Sequence, residues 1–252
     1  MMNAWITARS ICDWISSQVK AAGTRGVVFG LSGGLDSAVM AGLAVRCDFD
    51  AALGVVMPCH SDPTDLEHAA ECAKAFGLPM TVCDISAAYD SYLGLMESAI
   101  PAAPGYSADP VRARLAMANV KPRLRMTVLY YYANKLNLLV AGTTNRSELK
   151  VGYFTKHGDG GADIIPIAGL VKTEVRELAH YLGVPQAIID KPPTAGLWSG
   201  QTDEGEMGIT YEQLDRYILS GEGEPHVADR VEALARASAH KMARPAAPEL
   251  PC

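Results

Sequence analysis

The chain has 252 residues, 49% of them hydrophobic, and a formal net charge of −6. That length is enough to bury a sizeable core, and it fits one large domain better than two ordinary ones. The acidic balance argues against a surface for duplex nucleic acid or anionic membrane, both of which need clustered positive charge, and leaves a small anionic substrate open.

The first stretch, "MMNAWITARSICDWISSQVK", carries Arg9 and Asp13 inside its apolar pattern, and no apolar run reaches the length that spans a bilayer. It reads as neither signal peptide nor anchor. Trp5, Ala8, Ile11 or Cys12, Ile15 and Val19 recur at helical spacing, which predicts an amphipathic helix packed on the body. "GVVFGLS" (26 to 32) is a short apolar run ending in turn chemistry, and "DSAVMAGLAVRC" (36 to 47) follows with helical periodicity. "AALGVVMP" (51 to 58) predicts a second strand. Asp62 and Pro63 then supply an N-cap and first-turn proline for a helix through Phe76, closed by Gly77. "PMTVCDI" (79 to 85) predicts a third strand, and "LNLLVAGTTN" (136 to 145) a fourth, preceded by a long helix from the Asp109–Pro110 cap.

Residues 98 to 108 are rich in proline, glycine and alanine and read as a loop or lid. "GYFTKHGDGGAD" (152 to 163) is too rich in glycine for the interior of an element and reads as a segment mobile without ligand. "LVKTEVRELAHYLGV" is again helical, and Thr210 with Gln213 makes a capping-box pattern opening a helix near the end. Alternation of strand and helix implies an α/β protein: a Rossmann-like open parallel sheet with helices on both faces, one domain over residues 1 to 252. The six cysteines, at 12, 47, 59, 72, 83 and 252, form no CxxC pair, so a reducing cytoplasm is the natural compartment.

The string "GLSGGLDSAV" (30 to 39) falls where ligands bind in such sheets, beyond the carboxyl end of the first strand. Gly33 and Gly34 let successive N–H groups turn toward one point, and the next helix adds its positive end. Ser32 and Ser37 add hydroxyls. Asp36 is misplaced for direct phosphate contact unless a magnesium ion stands between, and it is assigned to magnesium. The loop lacks the lysine that a Walker loop brings to the β and γ phosphates.

These residues resemble the SGGxDS motif of the ATP pyrophosphatase family, in which the loop holds departing pyrophosphate while a nucleophile attacks the α-phosphorus. Further strings resemble the NAD synthetase family over nearly the whole chain: "NVKPRLRM" (119 to 126), "GTTNRSELKVGYFTKHGDGGADIIP" (142 to 166), "LVKTEVRELA", "KPPTAGLW" (191 to 198), "DEGEMGITYEQLDRYI" and the "HK" at 240 and 241. The resemblance implies ATP-dependent amidation of deamido-NAD by ammonia, in a homodimer. It assigns ATP to Gly30, Leu31, Ser32, Gly33, Gly34, Leu35, Asp36, Ser37, Thr143, Lys172 and Thr194. Glu148 completes the magnesium pair with Asp36, and Arg123, Lys156, Asp163, His240 and Lys241 hold deamido-NAD. Asp36, Glu148 and Lys156 are the residues expected to carry the chemistry.

One stretch departs from the family: "MPCHSDPTDLEHAA" lacks a tyrosine- and glutamine-containing form, which puts its adenosine contacts in doubt. Cys59 and His60 read there as a pocket rim, not a protease dyad, because neighbouring side chains point apart. Arg125 reads as a surface or interface cation. Rival readings are another SGGxDS enzyme that amidates or thiolates a different acceptor, and a nucleotide-binding relative without chemistry. The absence of an appended RNA-binding sequence weighs against a tRNA substrate.

Overall fold

Apolar runs of three to six residues, each ending in turn chemistry, form the strands β1 (Gly26–Gly30), β2 (Ala51–Val56) and β3 (Met80–Val82). In the computed structural model, which describes residues 2–100, 109–198 and 200–248, they join β4 (Leu139–Val140) in a parallel sheet of order β3-β2-β1-β4. Val28 of β1 pairs with Leu53 on one side and Val140 on the other. The chain steps outward from β1 to β3 and then crosses back to β4, so the order reverses between β1 and β4. In an open α/β sheet a crevice opens at that reversal.

Side chains alternate across β1. Val27 and Phe29 face a core shared with α1 (Ala4–Ala22), α2 (Leu35–Ala44) and α7 (Lys172–Leu182). Val28, Val55 and Val140 face the opposite layer, where Ala133 of α5 (Pro110–Leu136) packs. Both faces are covered, which is why the strands read as unbroken apolar runs.

Helix ends follow the sequence signals closely. Asp62 accepts from Thr64 N at the start of α3 (Pro63–Phe76), and Gly77 ends it at φ 63°. Asp109 caps α5 by accepting from the N–H groups of Val111 and Arg112. Thr210 and Gln213 complete the capping box of α10 (Tyr211–Ser220). On α1 the buried stripe is Ala8, Cys12, Ile15 and Val19, while Trp5 is 54% exposed, so the helix outruns the body it packs on.

Three expectations change. The third and fourth strands shorten to β3 and β4. Helix α4 (Ser86–Ala99) is not announced by periodicity, because only Tyr89 of its side chains is buried. Of the expected lid over 98 to 108, residues 98–100 close and follow α4, and 101–108 lie outside the described residues.

The remaining helices, α6 (Arg146–Val151), α8 (Gln186–Ile189), α9 (Asp203–Met207) and α11 (Pro225–Met242), belong to the second half of the chain. Val151, Met207, Leu214 and Val231 join α6, α9, α10 and α11 in a smaller core. A polar knot holds it to the sheet: Asp215 accepts from Ser147 Oγ (2.5 Å) and Thr173 N (2.7 Å), and Ser147 Oγ accepts from Lys172 N (3.0 Å). Asp215 is 2% exposed. The glycine-rich stretch after α6 is tied down as well, with Thr155 N donating to Asp159 and Thr155 Oγ1 donating to Asn119. Among the described residues no helix is long and apolar enough to cross a membrane.

Asp215→Ala leaves the Ser147 hydroxyl and the Thr173 N–H without their acceptor. A loss of about 2–4 kcal/mol is expected, measured by urea unfolding against wild type.

Candidate active site at the strand-order reversal

The loop after β1 and the loop after β4 meet at the reversal. Gly33 takes φ 74°, and a Cβ there would overlap the Asp65 carbonyl, so the loop lies directly on the first turn of α3. Gly34 caps α2 without a side-chain partner, which leaves the first-turn N–H groups of α2 for a ligand. Ser37 braces the loop from inside, donating to Gly34 O at 2.9 Å and accepting from Ser32 N at 3.2 Å. Its hydroxyl shapes the cradle.

From the other side, Asn145 is fully buried and its amide is used twice. Its oxygen accepts from Glu148 N in the capping box of α6, and its Nδ2 donates to Asp36 Oδ1 at 3.0 Å. Asp36 and Glu148, 112 residues apart in the sequence, thus face one point. Lys172, the first residue of α7, fills that point with Nζ at 2.5 Å from Asp36 Oδ2 and 3.2 Å from Glu148 Oε1. Its side chain is only 4% exposed. The Tyr211 ring lies 4.9 Å from Nζ, and the Tyr211 hydroxyl donates to Asp203 Oδ2 at 2.9 Å.

Burial and neighbouring charge perturb Glu148, Lys172 and Asp203. Burial pushes the Glu148 carboxyl up to about 8, with Asp36 adding to the shift and Lys172 opposing it. Burial alone would lower the Lys172 ammonium, but Asp36 and Glu148 outweigh it and hold it charged. Burial also raises Asp203. For a metal, the described residues offer no group of three or more acid, histidine or cysteine ligands. Two carboxylates on one cation fit magnesium, which keeps waters and completes its shell with phosphate oxygens.

A cavity of about 880 Å³ opens over this cluster, within the range of a nucleotide-sized ligand. Every residue that the resemblance gives to ATP lines it except Gly33, whose neighbours on both sides do. The NAD synthase family pattern matches residues 7–245. The chain belongs to that family. The NH(3)-dependent NAD(+) synthetase of Carboxydothermus hydrogenoformans is 48% identical over 240 residues, 95% of this chain and 96% of that one. The structure of NMN synthetase from Francisella tularensis superimposes with a TM-score of 0.91 at 34% identity, covering 99% of this chain and 100% of that one. The NH3-dependent NAD synthetase of Campylobacter jejuni gives 0.77 at 28% identity, covering 99% and 100%.

In this NAD synthase chain the residues given to the second substrate are placed less uniformly. Only Lys241 lines the cavity, and its Nζ donates to Gly152 O and Phe154 O, both at 2.8 Å. Lys156 donates to His240 O at 2.6 Å, and Arg123 faces the Lys156 carbonyl at 3.4 Å, forming a rim beside the cavity. Asp163 stands at the sheet edge, accepting from Val140 N and the Tyr130 hydroxyl.

Sequence reasoning passed over four groups that the fold brings in. Arg125 lines the cavity and ties α5 to the segment after β2 through Met57 O (3.1 Å), so it is no surface cation. Lys191 reaches Asp65 (2.5 Å) and Gly33 O (3.3 Å), bringing a cation to the loop from a distant segment. Asn145 and Asp203 are the others; the N-x-x-E spacing of Asn145 and Glu148 was a legible signal. Cys59 is not a rim residue: it is fully buried beside Ile85 and Tyr89, and burial pushes its thiol up. His60 lies outside, 2.8 Å from Asp90.

Asn145→Asp keeps the cap acceptor of α6 but replaces the donor to Asp36 with a carboxylate. Because Asn145 is fully buried beside Asp36, the added charge should cost about 2 kcal/mol or more of stability, and kcat/KM for ATP should fall about tenfold or more. Thermal melts and steady-state kinetics on one preparation separate the two roles.

Proposed function

We propose that this chain catalyses ATP-dependent amidation of deamido-NAD by ammonia through an acyl adenylate, giving NAD, AMP and pyrophosphate. The observation that carries the reading is the Asp36–Lys172–Glu148 cluster, set beside the open first turn of α2 in a family of NAD synthases.

In the first step a nicotinate carboxylate oxygen bonds to the α-phosphorus, and the bond from that phosphorus to the bridging oxygen breaks, releasing pyrophosphate. The first-turn N–H groups of α2 hold the departing phosphates, with Lys172 and Lys191 as the nearby cations. Magnesium on Asp36 and Glu148 would neutralise the charge developing on the leaving group. Thr143 and Thr194 lie on the cavity wall where the nucleotide fits. In the second step ammonia attacks the acyl carbon, AMP leaves with its oxygen, and nitrogen loses a proton. Lys156, His240, Lys241, Arg123 and Asp163 serve the second substrate, with the stretch 152 to 163 keeping water from the adenylate. The working form is a homodimer in the cytoplasm.

A second reading keeps the chemistry and shortens the acceptor to nicotinic acid mononucleotide. Its support is the TM-score of 0.91 with an NMN synthetase, against 0.77 with an NAD synthetase, and the single second-substrate residue on the cavity wall. Comparison of kcat/KM for the two acceptors decides between them.

With ATP, magnesium and ammonium chloride, deamido-NAD should yield NAD, AMP and pyrophosphate in equal amounts by mass spectrometry and phosphate assay. Glutamine in ammonia-free buffer should yield none. Asp36→Asn should cut adenylate formation by about a hundredfold or more. Its melting temperature should fall by a few degrees with the fold intact, because Asn keeps an acceptor for Lys172 but removes one of the two charges that hold the buried ammonium.

A further inference from the structure

Beyond the Lys172 bridge, the cavity wall carries two more acids that phosphate binding does not use. Asp203 and Glu206 both sit on α9 and both line the cavity. Glu206 is exposed, and its Oε2 accepts from the Tyr153 hydroxyl (2.6 Å) and Gln201 Nε2 (2.7 Å). Asp203 lies deeper, 4% exposed, with Oδ2 accepting from the Tyr211 hydroxyl. Its second oxygen, Oδ1, is buried and has no hydrogen-bond partner among the described residues.

A buried carboxylate oxygen without a donor is rare in native proteins, because the group has lost water and gained nothing for it. Lys172 lends Asp203 some positive charge, but no described group bonds to Oδ1. Lys172 is already committed to Asp36 and Glu148, and Tyr211 gives its single proton to the other oxygen of Asp203. The missing partner must be small, because Oδ1 is closed to bulk solvent, and it must donate a hydrogen bond; a water does that, and ammonium does it and adds positive charge. The acids run from the exposed Glu206 inward to Asp203, a path along which a cation is drawn and an anion repelled. The proposed reaction consumes a small solute of that kind, since ammonia stands mainly as ammonium at neutral pH.

We propose that Asp203 binds the ammonium that supplies the amide nitrogen, with Glu206 and Tyr153 lining its approach. The inference rests on the reading of the chain as an ammonia-using ligase, and holds for either carboxylate acceptor. Ammonium donates one N–H to Asp203 Oδ1 beside the cluster where the acyl adenylate forms, and passes that proton to the carboxylate to become ammonia, so that its nitrogen lone pair is free to attack the acyl carbon.

Two half-reactions test it. Carboxylate-dependent exchange between ATP and labelled pyrophosphate, run without ammonium, reports adenylation alone, and turnover titrated with ammonium chloride reports the nitrogen site. Asp203→Asn keeps an acceptor for Tyr211, so exchange should stay within about twofold of wild type and the KM for ATP should hold, while the KM for ammonium rises about tenfold or more. Glu206→Gln, at the mouth, should raise the ammonium KM by a smaller factor. Potassium chloride should compete with ammonium in the wild type. An unmoved ammonium KM in Asp203→Asn, or exchange that falls in step with turnover, overturns the assignment, as does potassium that activates without competing. Absence of exchange in the wild type with both acceptors would instead overturn the ligase reading, and this site with it.

Discussion

Everything at this site depends on a buried ammonium held between two carboxylates. Asp36 rides on the loop after β1 and Glu148 on the helix after β4, so without a cation the two strands would deliver like charges to one point. Lys172 removes that conflict. A buried charge pair of this kind adds little net stability over an apolar replacement, yet loss of one partner leaves an uncompensated charge and is strongly destabilising. The cluster is thus better understood as a positioning device for chemistry than as a source of stability. Entry of a divalent cation and phosphate oxygens would redistribute contacts that the lysine now makes.

The rest of the second half of the chain is arranged to keep Lys172 in place. Its backbone N–H is anchored on Ser147, Ser147 on Asp215, and Asp215 on the first turn of α7. The knot is therefore closed, and it ties α10 to the first turn of α7. Asn145 adds a second closed loop, in which the cap of α6 and the orientation of Asp36 come from one amide group. Glu148 is the third residue of that same capping box, so one short helix start positions both sides of the carboxylate pair.

The phosphate loop lacks its own lysine because the fold imports lysines from elsewhere. Lys172 arrives from the start of α7 and Lys191 from the segment after α8, the latter reaching the Gly33 carbonyl itself. A lysine inside the loop would serve transfer of the γ phosphate, where charge grows at that end. Here the chemistry proposed is at the α-phosphorus, and the two lysines flank the loop, Lys172 from the side of α6 and Lys191 from the side of α3.

Much of this was legible in sequence. Apolar runs punctuated by glycine and proline determined β1, β2 and the starts of α3, α5 and α10, because caps and turns are local chemistry that needs no partner. The string "GLSGGLDS" pointed to a loop at the end of β1, and Asp36 and Glu148, both singled out in the sequence, meet at Lys172 in the fold. What only the tertiary structure decided is who meets whom. Lys172 was given to ATP through the family resemblance, but nothing local tells that it is buried between acids far away in the chain. Helix α4 escaped notice because it buries one side chain, and a helix with no apolar stripe leaves no period to read. The places of Arg125, Lys191 and Asp203 escaped because a charged residue acquires its meaning from the field around it, and that field exists only after the strands have folded into order.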